Sequence, residues 1–253
     1  MKVIEYGKEN SRVIMLLHGG GLGWWSYRAV AEALAEHFHV VIPTLDGHGG
    51  ADHKFVSIEE NAKEIIEYID RELSGNVAFI GGLSLGGQIL CEMLSMRADI
   101  CEAALVESAS VIPSPSCISA LMKPTMDMSY PLIKKRWFAR WQFKYLRIRE
   151  DLFAEYYEDT TRITKEDMIA FLSASIEYGL NPSISKTNAR VTILAGGKEQ
   201  RGILRSAEMI HKAISESSIV IKDGLYHGEW SINHAYEYAA MVKNILKHTQ
   251  NDN

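Results

Sequence analysis

Gly81-Gly82-Leu83-Ser84-Leu85-Gly86-Gly87 is the stretch on which the reading of this chain turns. It holds the pattern G-x-S-x-G at Gly82, Ser84 and Gly86. The apolar run Asn76–Ile80 (NVAFI) precedes it, and Leu85–Met96 (LGGQILCEMLSM), with helical spacing, follows. A strand that turns directly into a helix at a serine crowds the backbone on both sides, so glycine is needed two residues before and two residues after it. The turn holds Ser84 in a strained conformation, with Oγ exposed at the carboxyl edge of a sheet. The first turn of the helix adds free N–H groups and the positive end of its dipole. Ser84 is therefore the candidate nucleophile.

Two other Gly-rich chemistries fail on spacing. Neither this segment nor Gly19–Gly23 fits the dinucleotide pattern G-x-G-x-x-G, because Trp24 stands where the last glycine belongs. Gly197-Lys198 is followed by Glu199, not by the Ser or Thr of a phosphate loop.

Upstream, His18-Gly19-Gly20-Gly21 follows the apolar run VIMLL. A backbone bare of side chains can bring N–H groups close to a developing oxyanion. With the N–H of Leu85, the N–H of Gly20, or else that of Gly21, would complete an oxyanion hole. Downstream, His227 lies in Gly224-Leu225-Tyr226-His227-Gly228, after the last apolar run and before the last helical one, and is the candidate base. His234, inside that helix, is its substitute. A carboxylate must orient the base. Glu199, just past VTILA, leads; Asp223 and Glu107 also follow apolar runs. His18 and His48 read as loop structure. His37 and His39 alternate on a strand, but no third ligand stands near, so no metal site is expected.

The apolar runs are Val3–Tyr6, Arg12–Leu17, His37–Ile42, Asn76–Ile80, Ala103–Val106, Val191–Ala195 and Ser218–Ile221. The first two, joined by the polar Gly7–Ser11, read as a hairpin. The others suit a mostly parallel sheet covered on both faces. Helical patterns alternate with them at Ser26–Glu36, Ser57–Leu73, Leu85–Met96, Ser206–Ser215 and Ile232–Lys247. Ser57 stands three residues before Glu60, as in a capping box. Strand–helix alternation implies right-handed crossovers and an α/β fold. Between Ser108 and Thr187 it stops. That stretch carries helical periodicity in Ile118–Met128, Tyr130–Leu146 and Lys165–Tyr178. The expectation is a single domain over 1–253, with its core in 1–108 and 188–253 and a helical cap inserted at about 109–187.

The bulk properties narrow the partners. Hydrophobic residues make up 47% and charged residues 23%, so a packed core is expected, with only the polar tail His248–Asn253 unordered. The net charge of −5 speaks against nucleic acid. No apolar run reaches the roughly 18 residues that span a bilayer, so no membrane partner is expected. The N-terminus has no apolar signal region. Cys91, Cys101 and Cys117 form no paired spacing and read as free thiols of a reducing, cytoplasmic setting.

In this order, His18–Gly21, Pro43–Gly49, Gly82–Gly86 and His227 resemble the α/β-hydrolase superfamily, in particular its small, cap-bearing serine esterases and lipases. The likeness covers nearly all the chain outside Ser108–Thr187. It implies a Ser84–Glu199–His227 triad in the order nucleophile, acid, base. Glu199 departs from the family, which more often has Asp there. The implied activity is carboxylester hydrolysis through an acyl-enzyme on a small-molecule substrate, with no metal or organic cofactor. The same triad serves thioester and C–C bond hydrolases, and the scaffold also hosts slow-turnover ligand receptors. Oligomeric state is not legible. In the cap, Met122, Met126, Met128, Trp137, Phe138 and Trp141 are candidates for an apolar pocket wall or, for most of them, for the cap's own core. Trp24 and Trp25, just past the oxyanion loop, either line the pocket or pack the first helix. Lys134-Lys135-Arg136 reads as a solvated helix face rather than an anion site.

Overall fold

A computed structural model describes the backbone of residues 1–251, with side chains to residue 248. Seven strands form one sheet: β1 (Val3–Tyr6), β2 (Val13–Leu17), β3 (His39–Pro43), β4 (Val77–Leu83), β5 (Cys101–Glu107), β6 (Arg190–Gly196) and β7 (Ser218–Lys222). Their order is β1-β3-β2-β4-β5-β6-β7. All pairings are parallel except that of β1 with β3.

The helices α1 (Arg28–Leu34), α2 (Ile58–Glu72), α3 (Leu85–Met96), α8 (Arg201–Ala213), α9 (Glu229–Asn233) and α10 (Ala235–Asn251) alternate with the strands. Four more, α4 (Ser116–Ile133), α5 (Arg136–Tyr145), α6 (Phe153–Arg162) and α7 (Lys165–Glu177), lie between β5 and β6. They are the helical insertion read from the break in alternation.

The period-2 pattern of the strands splits the core. Met15 and Leu17 of β2 join one cluster with Ile65 and Ile69 of α2, Leu90 and Leu94 of α3 and Ile210 of α8. Ile14 and Leu16 join another with Val30 and Leu34 of α1 and Tyr238 and Val242 of α10. Successive side chains of one strand point to opposite faces, so both faces need a helical cover.

The expected β1–β2 hairpin does not form. β1 pairs antiparallel with β3 at the sheet's edge, Val3 opposite Pro43 and Tyr6 opposite Val40. β2 is buried from Ile14 to Leu17 and takes parallel neighbours, β3 and β4, on both sides. The polar Gly7–Ser11 segment passes under the end of α1, where Asn10 Nδ2 donates to Ala35 O at 2.9 Å.

Helix boundaries also differ from the sequence reading; in the insertion the break falls between Ile133 and Arg136, not between Met128 and Tyr130. The first helical stretch opens as a 3-10 turn over Trp24–Tyr27. α8 starts five residues earlier than its periodicity suggested, because a glycine in the first turn, Gly202, does not stop it. The last helix is broken at His234 into α9 and α10. The tail His248–Asn253 is helical as far as Asn251, and its end lies outside the described residues. At α2, Ser57 Oγ accepts from Glu60 N at 3.1 Å, as the capping pattern requires.

Candidate active site

β4 runs into α3 through Ser84, whose φ of 53° and ψ of −111° place it outside the regions a serine favours. Such a conformation costs of order 1–3 kcal/mol and persists only where packing enforces it. The enforcement is visible. A Cβ on Gly86 would stand 2.2 Å from Leu17 O, and one on Gly82 would stand 2.4 Å from Gly86 O. The helix start is thus pressed against the end of β2. Ser84 N–H is held by Glu107 O of the neighbouring strand at 2.8 Å.

His227 arrives from the loop after β7. Its Nε2 is 2.9 Å from Ser84 Oγ, and its Nδ1 is 2.7 Å from Glu199 Oε2. The loops after β6 and β7 are zipped together by Gly197 N to Lys222 O at 2.8 Å and Lys198 N to Leu225 O at 2.9 Å. A Cβ on Gly196 would stand 2.4 Å from Leu225 O, so the closeness of the two loops depends on glycine there. Glu199 Oε1 accepts from Ser108 Oγ at 2.7 Å and from Gly196 N at 2.8 Å. Burial alone would raise this carboxyl, but the hydrogen bond and positive field of His227, with the bonds from Ser108 and Gly196, hold it below the usual carboxylate value. Glu199 thus stays ionised beside the imidazole.

The other candidates fall elsewhere. Asp223 is exposed. His234 stacks on Trp230 with ring centroids 5.3 Å apart, and its Nδ1 is 3.9 Å from Glu237 Oε1. His39 Nε2 lies 3.0 Å from Glu5 Oε2 on the edge strand. Among the described residues, Asp46, His53 and Glu64 bring possible ligand atoms within 4.8 Å of one another, and none of the three lines the pocket at Ser84.

Glu107 is fully buried under the site. Its Oε1 accepts from Ser231 N of α9 at 3.2 Å. Oε2 has no partner among the described residues, and neither have the hydroxyls of Tyr27, Ser231 and Tyr238. Burial, and then the negative charge of Glu199, push Glu107 up to about 7, although the N–H of Ser231 acts the other way. In the unfolded chain the group ionises near its ordinary 4.5. The folded chain therefore holds the extra proton between those values, and stability falls as pH rises through that window. The loss is about 3 kcal/mol at most. Glu107→Gln is expected to leave melting temperature near that of the parent at pH 5 and to exceed it at pH 8. A difference that does not change with pH would sink this account.

The Gly-rich loop is held by two histidines. His18 Nε2 accepts from Leu45 N at 3.2 Å, with Nδ1 3.0 Å from Gly19 O. His48 Nε2 accepts from Gly21 N at 3.0 Å, with Nδ1 3.0 Å from Asp46 O. Both patterns demand a neutral ring protonated on Nδ1. Burial enforces neutrality, lowering His18 to about 3 and His48 to about 4. His48 thus engages the N–H of Gly21, whereas the N–H of Gly20 has no hydrogen-bond partner among the described residues. Gly20 sits beside Leu85, whose Cδ2 would lie 3.6 Å from a Cβ there.

A cavity of about 190 Å³ opens onto Ser84, Gly20 and His227. The inserted segment closes it with Met126, Ile133, Leu146, Met168 and Phe171. Thr160 and Gln142 also line it, with Thr160 Oγ1 and Gln142 Oε1 buried and unpartnered among the described residues. None of the candidate tryptophans Trp24, Trp137 and Trp141 lines it. Trp137 and Trp141 are 67% and 62% exposed. Trp24 packs under Arg28, whose guanidinium carbon lies 5.0 Å from its ring. Met128 is 77% exposed, so of the expected methionines only Met126 reaches the cavity. Helical periodicity marks two faces but not which one turns inward, and α5 turns Ala139 and Phe143 in. Ser108, also at positive φ (56°), and Phe171, stacked on His48 at 4.5 Å, carried no sequence signal.

Comparison with known proteins agrees with this architecture. Residues 14–230 match the α/β hydrolase family. A stretch of 87 residues is 32% identical to the pimeloyl-[acyl-carrier protein] methyl ester esterase of Vibrio cholerae serotype O1, covering 34% of this chain and 32% of that protein. The chain spans 32% to 39% of the length of the curated relatives it matches. The enol-lactonase of Burkholderia xenovorans LB400 superposes with a TM-score of 0.81 at 17% identity, over 97% of this chain and 96% of that one. A thermophilic esterase from Thermogutta terrifontis superposes with a TM-score of 0.76 at 16% identity, over 98% and 93%. At such identities the likeness is one of fold, and with the family match over most of its length the chain belongs to the α/β hydrolase family.

Proposed function

We propose that the chain is a carboxylesterase that cleaves small acyl esters through an acyl-enzyme on Ser84. The supporting observation is the unbroken line from Ser84 Oγ to His227 Nε2 at 2.9 Å and from His227 Nδ1 to Glu199 Oε2 at 2.7 Å. Ser84 Oγ attacks the ester carbonyl as His227 takes its proton, and Glu199 steadies the imidazolium. The N–H groups of Leu85 and Gly20 receive the negative oxygen. The imidazolium then protonates the leaving alcohol. Water, deprotonated by His227, attacks the acyl-enzyme and frees the acid. The pimeloyl ester named for the Vibrio cholerae relative keeps an ester of a longer acid among the substrates to be tried.

A panel of p-nitrophenyl esters with a fluorophosphonate probe tests this. A cavity of about 150 Å³ holds a benzene ring, and this one is about 190 Å³. An acyl arm of about four to six carbons is therefore the best expected substrate, with turnover at least ten-fold lower for dodecanoate. Turnover that climbs steadily with chain length would refute the pocket assignment. No turnover and no label on Ser84 would refute the esterase. Label without ester turnover would move the reading to thioesters, C–C bonds or a ligand receptor.

A further inference from the structure

The tryptophans that miss the pocket point outward in company. On α5, Trp137, Trp141 and Tyr145 recur every four residues and are 67%, 62% and 78% exposed. On α4, Ile118, Leu121, Met128 and Leu132 are exposed at helical spacing. The charge on the same two helices and the turns that follow them is one-sided. Between Ser116 and Arg149 the chain carries eight lysines and arginines and one carboxylate, Asp127, although the whole chain is at −5. Arg140 pairs with Glu150, and Arg149 with Asp151. Lys123, Lys134, Lys135, Arg136, Lys144 and Arg147 are exposed and make no ion pair among the described residues.

We propose that this outward face of α4 and α5 docks on an anionic lipid bilayer. Exposed apolar and aromatic side chains interleaved with cations are what an interfacial helix needs: the rings enter the headgroup boundary and the cations meet the lipid phosphates. A bilayer supplies both an apolar depth and negative charge to every residue of the face. A second copy of this chain does not fit, because a self-complementary contact would bring the unpaired cations together. An acidic protein surface would answer the cations but leave Met128 and Tyr145, 77% and 78% exposed, without apolar partners. Docking here differs from spanning: among the described residues no helix is long and apolar enough to cross a membrane.

The inner sides of the same helices line the cavity, with Met126 and Ile133 from α4 and Gln142 from α5. A chain seated by this face would hold its pocket wall at the lipid boundary, where apolar esters concentrate. That consequence rests on the esterase reading; the docking itself does not.

Sedimentation with vesicles tests the docking without any substrate. The chain is expected to pellet with vesicles of equal parts phosphatidylcholine and phosphatidylglycerol, to stay in solution with phosphatidylcholine alone, and to be released by salt. Lys134→Gln with Lys135→Gln should weaken binding by about ten- to thirty-fold. Trp137→Gln with Trp141→Gln should weaken it at least ten-fold, with circular dichroism and melting unchanged because both rings lie at the surface. Four results would overturn the proposal. They are equal pelleting with neutral vesicles, no pelleting with anionic ones, binding indifferent to both variant pairs, or a dimer by light scattering that the tryptophan variant dissolves. Tight binding to an acidic carrier protein with none to vesicles would give the face to a protein partner instead. Labelling of Ser84 by the fluorophosphonate is read separately, so failure of the docking and failure of the esterase can be told apart.

Discussion

Ser84→Ala is expected to lower kcat/KM on the best p-nitrophenyl ester by about 10⁴- to 10⁶-fold, with fold and melting temperature kept. The size follows from the division of labour. With Oγ gone no acyl-enzyme can form, and His227 can only activate water for direct attack. What survives is stabilisation of the oxyanion and binding in the cavity, together worth roughly 10³–10⁴ over the uncatalysed reaction. His227→Ala removes the same step by a different route, since Ser84 then has no proton acceptor. The two losses therefore overlap, and Ser84→Ala with His227→Ala should be no more than a few-fold worse than either alone. Multiplication of the two effects would mean that the residues act independently, which the 2.9 Å bond between them does not suggest. Retention of a tenth of parent activity in Ser84→Ala would remove Ser84 from the chemistry altogether. Folding should survive the change, because alanine is smaller than serine and the positive φ is enforced by Gly82 and Gly86 against their neighbours, not by Oγ.

Most of the candidate site is legible in the sequence, and the reason is physical. The elbow reports itself through two glycines that the backbone crossing demands, and the strand and helix around it supply the context. His227 is marked by its position between the last strand and the last helix. What failed to show in the sequence depends on packing between segments far apart in the chain. Ser108 meets Glu199 only because β5 and β6 are neighbours. Phe171 reaches His48 only because α7 folds back over the loop after β3. The β1–β2 hairpin failed for a related reason: local turn chemistry favoured it, but a strand buried on both faces claims two parallel partners. The tryptophans of α5 show the limit of amphipathic reading. A helix with apolar residues on two faces has an inward side that composition does not name.

Glu199→Gln is expected to cost about 10⁴-fold in kcat with little change in stability, the scale known for a triad acid replaced by its amide. The hydrogen bonds around Glu199 explain why so small a change should cost so much. One carboxylate oxygen accepts from Gly196 N–H and from Ser108 Oγ, and the other from His227 Nδ1. A glutamine has a single oxygen. The backbone N–H of Gly196 can only donate, so it claims that oxygen and turns the amide NH₂ towards His227. Nδ1 must then accept, which leaves the proton on Nε2, pointing at Ser84 Oγ. In that tautomer the imidazole cannot take the serine proton, although every heavy atom stays in place. Activity should recover in part at high pH, where hydroxide can take the serine proton in place of the imidazole. Asp223→Asn should change kcat by no more than about two-fold, because Asp223 is exposed and makes no bond to the base. Glu107→Gln should stay within about ten-fold, because Glu107 bonds α9 through Ser231 N and not His227. Should Glu199→Gln keep most of its activity while Glu107→Gln loses it, the acid would be Glu107 and the 2.7 Å contact of Glu199 with His227 a bystander.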